Sequence, residues 1–342
     1  MKAIVFLGAE RLEVRDYPDP TPGPDDVIVK MKASGMCGSD LHHYHEPKRR
    51  EEQIFIEGHE PCGVIEAVGS AVSPSVIKIG DRVMVHHYDG CRICSHCRSG
   101  WTQLCETERV VFGGSNGHGA HAEFMKVPAH TLIKLDDGMS FRAGAAVACG
   151  SGTAYAALKR VALSGDETLA VFGQGPVGLS ATLFAKAMGA RVIAIDIAEE
   201  RLAMASKFGA DFVINPLKDE PESAIRDITQ GKGGADKAIE CSSSVTARRQ
   251  AVNSTRSWGT TCLVGVNGNL ELNSNDIILK NWSIVGSLTF SKNLQAECAA
   301  FIMERKINVD ALFTHDFRLE QAQDAYALFD KKQIGKGVFI FD

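Results

Sequence analysis

No stretch of this 342-residue chain holds the ~18 consecutive apolar residues that a membrane-spanning helix needs. Blocks of lysine and arginine are also missing, and the net charge is −5, which argues against nucleic acid or an anionic membrane as the main partner. The opening run from Met1 to Leu7 is too short for the core of a signal peptide, and no small-residue cleavage site follows it. The expected compartment is therefore the cytosol. Repeats and low-complexity segments are absent. With 44% apolar and 23% charged residues the composition is that of an ordinary globular protein, and the length suits two domains better than one.

Cysteine, by contrast, is plentiful, with ten residues. In a reducing compartment that points to metal or catalysis before disulfides. Cys91, Cys94, Cys97 and Cys105 follow the spacing C-x2-C-x2-C-x7-C, and four thiolates so close in sequence can form a closed tetrahedral zinc site with no position left for substrate. Disulfides are the alternative, but a bridge between cysteines three apart is strained. A zinc ribbon that reads nucleic acid would separate two cysteine pairs by about 15–20 residues, unlike this loop. Cys62, Cys241, Cys262 and Cys298 have no partner pattern and are assigned to cores or surfaces.

From Met1 to about Lys134 short β-like runs alternate with Gly, Pro and Asp, which predicts an all-β unit with functional loops. From Thr168 to about Gly286 strands and helices alternate, which predicts six strands in a doubly wound parallel sheet. The first strand, Thr168 to Phe172, runs into Gly173-Gln174-Gly175-Pro176-Val177-Gly178. Glycines at such a strand-to-helix turn allow the tight turn, the close backbone approach to a pyrophosphate and the packing of helix on strand. The helix N-terminus then offers free N–H groups to the phosphates. About 20 residues on, Asp196 ends the second strand, where a carboxylate meets a ribose 2′-hydroxyl. The alternative for Asp196 is a helix N-cap. The final run, Gly337 to Phe341, reads as a strand returning to the first domain.

Cys37, His59-Glu60 and Cys149 are scattered. A catalytic zinc takes three protein ligands and keeps one open position, which Cys, His and Cys can supply. Taken singly, a free cysteine is more often a small core residue. Gly35 to Leu41, Gly58-His59-Glu60 with Gly63 and Val68-Gly69, the four-cysteine loop and the glycine turn occur, however, in one order. In that order the whole chain resembles the medium-chain, zinc-dependent alcohol dehydrogenases. The resemblance implies an α/β plus β architecture: a GroES-like barrel domain, residues 1–150 and 292–342, with a structural zinc lobe at about 88–108, and an inserted Rossmann domain at 151–291.

The resemblance also implies two zinc ions per chain and NAD. Cys37, His59 and Cys149 match the catalytic zinc ligands, and Glu60 matches a carboxylate that approaches the metal. Ser39 matches the hydroxyl that takes the alcohol proton, His42 its relay, and Asp40 the carboxylate that orients the zinc-bound histidine. Around the cofactor it places Thr153, Gly173, Gly175, Pro176, Val177, Gly178, Asp196, Arg201, Val264 and Val266. Gly38-Ser39-Asp40 followed by His42 is similar to the polyol branch, whereas Cys149-Gly150-Ser151-Gly152-Thr153 is similar to the alcohol dehydrogenase branch. The implied reaction is reversible NAD-linked oxidation of a secondary alcohol or sugar alcohol by a homodimer or homotetramer. The rivals are a zinc-free quinone or enone reductase and a dinucleotide-sensing relative without turnover. His43, His45, His86 and His87 are expected at the surface or the pocket rim. Lys48, Arg49 and Arg50 have the charge to attract an anionic or heavily hydroxylated substrate, although a charge run is more often a solvated face.

Overall fold

The computed structural model describes residues 1–342, which divide into two compact units, Met1–Gly152 with Ser291–Asp342, and Thr153–Phe290. No helix is long and apolar enough to cross a membrane.

The first unit is organised on the ten-residue strand Asp26–Gly35. One of its edges pairs antiparallel with Pro61–Val68. The other edge is shared: Phe124–Pro128 pairs with its first half and Lys336–Ile340 with its last three residues. Register shifts at Ile28/Val29 and Met31/Ala33 bend the strand so that it can serve all three partners. Val27, Val29, Met31, Ile65, Val83, Val85, Met125 and Leu132 then fill one apolar core. A second core is aromatic, with Phe6, Tyr44, Tyr326, Phe329 and Phe339 clustered, and Phe6 meets the ring of Tyr326 edge-on at 4.8 Å. The β-rich expectation holds for this unit, with short helices added at Asp40–His45 and Phe141–Val147.

The second unit carries a six-stranded parallel sheet. Its spatial order is Phe212–Ile214, Arg191–Ile195, Thr168–Phe172, Ala235–Glu240, Thr255–Leu263 and Ser283–Gly286. Every residue of Thr168–Phe172 is buried, as expected for a strand covered on both faces. Chain order reverses between that strand and Ala235–Glu240, and such a reversal opens a crevice beyond the strand ends where ligands bind.

Candidate functional site

The strand Asp26–Gly35 ends where the next residues, Met36 and Cys37, lead into the helix Asp40–His45. Gly58-His59-Glu60 precedes the neighbouring strand Pro61–Val68, and Cys149 sits between the helices Phe141–Val147 and Gly150–Arg160. The ligand atoms of Cys37, His59 and Cys149 lie within 4.8 Å of one another. Ser39 Oγ is 3.2 Å from both Cys37 Sγ and His59 Nε2. His59 Nδ1 meets Asp40 Oδ1 at 3.0 Å, and the peptide N–H of Cys37 donates to Asp40 Oδ2 at 2.8 Å. Asp40 is buried and its carboxyl is held below the usual range: burial opposes this, and His59 with its hydrogen bond outweighs it. Asp40 therefore keeps the proton on Nδ1 of His59 and leaves Nε2 as the ligand atom.

Glu60 lies fully buried beside this set, and Gly35 makes room for it, because a Cβ there would overlap its carboxylate. Lys336 from the last strand, equally buried, approaches Glu60 Oε2 at 2.6 Å, while Oε1 has no partner. Burial pushes the carboxyl up to about 7 against the pull of Lys336. Two soft thiolates, one imidazole oriented by a carboxylate and a buried oxygen without a partner suit a zinc ion with an open position.

In the four-cysteine loop no pair is bridged. All four sulfurs lie within 4.8 Å of one another. The peptide N–H groups of Cys94, Cys97 and Cys91 donate to the sulfurs of Cys91, Cys94 and Cys105 at 3.3–3.4 Å. Such bonds favour thiolates, and they hold Cys105 down at about 5.

At the glycine turn Gly173 adopts φ +88° and lies against Ser242, so a side chain there would be strained and crowded. A Cβ on Gly178 would sit 1.8 Å from the carbonyl oxygen of Gly173, so only glycine lets the helix Pro176–Met188 start so close to the strand. A Cβ on Gly175 meets nothing within 4 Å; the space over the helix N-terminus is open, as a pyrophosphate requires. Asp196 is buried, and its carboxylate accepts from the peptide N–H groups of Gln174 at 2.6 Å and Ala198 at 2.9 Å. It ties the glycine turn to the end of the second strand. The N-cap of the following helix is Ala198, not Asp196. Arg201 approaches the carboxylate at 3.7 Å. Thr153 is buried, Pro176, Val177 and Val264 are half-buried, and Val266 is exposed.

Three expectations are corrected. His86 and His87 are buried, each 1% exposed; His87 bonds through Nδ1 to the carbonyl of Ala148, and its ring lies 5.3 Å from that of His59. Arg49 is not solvated but buried between Glu46 and Glu57, at 2.8 Å from each. His43 joins the same cluster, its Nδ1 3.0 Å from Glu57. Lys336 escaped notice, since a lone lysine before an apolar strand carries no signal. Tyr326 and His121, which reach Asp40, escaped as well.

Comparison with known proteins gives a consistent result. The alcohol dehydrogenase GroES-like domain matches residues 23–137, and the zinc-binding dehydrogenase family matches residues 176–304. An uncharacterized zinc-type alcohol dehydrogenase-like protein of Escherichia coli K12 is 38% identical, over 100% of this chain and 99% of its own length. Sorbitol dehydrogenase of Halalkalibacterium halodurans is 31% identical, over 95% of each. The structure of an alcohol dehydrogenase of E. coli CFT073 complexed with NADH superposes with a TM-score of 0.91 at 26% identity, covering 100% of this chain and 99% of that one.

Proposed function

The chain belongs to the zinc-type medium-chain alcohol dehydrogenase family, and from that premise we propose that it oxidises a secondary alcohol or polyol reversibly, with zinc and NAD. The observation that carries the reading is the convergence of Cys37, His59 and Cys149, from three separate segments, to within 4.8 Å. These three would hold the catalytic zinc, with Glu60 behind them, and Cys91, Cys94, Cys97 and Cys105 would hold the structural one. Bound there, zinc supplies Lewis acidity toward an alcohol oxygen, and NAD supplies the hydride acceptor.

The chain's own residues move the proton. Ser39 is exposed, and its Oγ beside His59 and Cys37 takes the proton of the alcohol. His42 is exposed one turn on, its peptide N–H bonded to the carbonyl of Ser39, and passes the proton to solvent. Asp40 holds His59 in the tautomer that offers Nε2. NAD is favoured over NADP because the carboxylate of Asp196 accepts from a ribose hydroxyl and repels a 2′-phosphate. The polyol side of the substrate range is supported by Gly38-Ser39-Asp40 and by the likeness to a sorbitol dehydrogenase.

The test is a panel of polyols, secondary alcohols and primary alcohols offered with NAD and with NADP to protein of known metal content. Two zinc ions per chain and alcohol-dependent NADH formation are expected. Zinc-loaded protein that turns over no alcohol with either cofactor would overturn the reading. Asp196→Ala is expected to lower the NAD-to-NADP ratio of kcat/KM by about 10-fold; an unchanged ratio removes Asp196 from cofactor choice.

A further inference from the structure

Behind His59 the hydrogen bonds continue well past Asp40. Tyr326, on the helix Ala322–Asp330, donates its hydroxyl to Asp40 Oδ2 at 2.8 Å. The hydroxyl oxygen of Tyr326 lies 2.7 Å from His121 Nε2, and His121 Nδ1 lies 2.7 Å from Ser34 Oγ. Ser34, Asp40, His121 and Tyr326 are all 0–2% exposed, so water does not compete for these bonds. Gly58, directly before His59, has φ +92°, and a Cβ on it would lie 2.4 Å from His121 Nδ1. The His121 ring thus occupies the place a side chain at position 58 would take.

The proton positions follow from bookkeeping of donors. A phenol has one proton, and an acceptor facing the Asp40 carboxylate at 2.8 Å would be repelled, so Tyr326 donates to Asp40. Its oxygen must then accept from His121, which places a proton on Nε2. Burial pushes His121 down to about 4, so the ring is neutral and its Nδ1 accepts from the hydroxyl of Ser34. Every donor therefore points the same way, from Ser34 through His121 and Tyr326 to Asp40. Asp40 is left facing His59 through Oδ1, with Oδ2 taken by Tyr326 and the peptide N–H of Cys37.

We propose that Tyr326 and His121 are positioning residues for the catalytic metal site: their one-way relay fixes the Asp40 carboxylate, and through it the orientation and tautomer of His59. The inference rests on the proposed zinc site at Cys37, His59 and Cys149. Partners of this kind, one layer beyond the ligands, change metal affinity by about 10–100-fold when removed.

The experiment uses the full-length zinc enzyme and its cobalt-substituted form, with Tyr326→Phe, His121→Gln and, as a control, Tyr44→Phe. Tyr44 stacks on Tyr326 in the same aromatic core, but its hydroxyl bonds to Gln323 at 3.2 Å and not to the relay. Tyr326→Phe is expected to release the metal of the Cys37 site to a chelator about 10–100-fold faster. It should also shift the visible spectrum of cobalt at that site and leave release from the four-cysteine lobe unchanged. His121→Gln, whose amide can still donate to Tyr326, should recover most of the wild-type rate, and Tyr44→Phe all of it. If Tyr326→Phe does not fold, Ser34→Ala replaces it, with release a few-fold faster. Release and spectra that match Tyr44→Phe, or wild type in the case of Ser34→Ala, would overturn the relay alone. A wild-type enzyme that binds one metal ion per chain, in the lobe, would overturn the site reading and the relay with it.

Discussion

Cys91, Cys94, Cys97 and Cys105 reach one another within a single loop, whereas Cys37 and Cys149 come together from 112 positions apart with His59 between them in sequence. The loop holds its sulfurs with its own peptide N–H groups. The scattered set is held by groups that are themselves remote: Asp40 behind His59, Tyr326 behind Asp40, and Lys336 beside Glu60. A local site needs little beyond its own segment, so its geometry is written in its spacing. A site assembled at long range has its ligands in view but its supports hidden, and it depends on the folding of the whole unit.

The sharpest way to break this contrast is to remove one ligand from each site. Cys149→Ser should lower kcat/KM by about 10³-fold or more, with little change in Tm, because the lost zinc Lewis acidity is worth several kcal/mol. Cys97→Ser should do the reverse, lowering Tm and exposing the loop to protease before chemistry suffers. A Cys97→Ser enzyme with wild-type Tm and no activity would erase the distinction.

Next in size is the buried ion pair. Lys336→Met leaves the Glu60 carboxylate without its counter-charge and should destabilise the protein by about 3–5 kcal/mol in urea unfolding. Adding Glu60→Gln should restore much of that stability. If the single substitution costs less than about 1 kcal/mol, the scattered site does not lean on the last strand.

The last test concerns acid, with an effect that vanishes at neutral pH. Burial lowers both His86 and His121 to about 4, so each takes up a proton on unfolding between roughly pH 6.5 and 4. Stability from this source is complete above pH 6.5 and falls as pH drops toward 4, by up to ~3 kcal/mol per histidine. Urea midpoints measured across that window should decline, and His121→Gln should flatten the decline. An unchanged slope would remove His121 from the acid response.

Much of the fold was legible because its signals were periodic. The run at Thr168–Phe172 has the expected limits, and the alternation that follows it gives the expected six-stranded parallel sheet. The helices Phe141–Val147 and Gly150–Arg160 were not foreseen. The first is rich in alanine and glycine and buried over most of its length, so it lacks an alternating polar face, and the glycines of the second read as loop. The strand Phe313–Phe317 was also missed, as its three middle residues, Thr314, His315 and Asp316, are polar and exposed. Within the site, the motifs marked Cys37, His59 and Cys149, which the structure brings to within 4.8 Å of one another, while burial reversed the reading of His86, His87 and Arg49. Nothing local distinguishes a histidine on a rim from one in a core, or an arginine in solvent from one clamped by two carboxylates.

The pairing of Lys336–Ile340 with the end of Asp26–Gly35 has a consequence for biosynthesis. Lys336 donates to the carbonyl of Met36, 300 residues earlier, so the wall around Glu60 cannot close until the ribosome has extruded the far end of the polypeptide. The segment Thr153–Phe290 is uninterrupted and can fold while translation is still under way. The two units therefore complete their folding in the order opposite to their first appearance, and the surroundings of Glu60 close only after translation has passed Lys336.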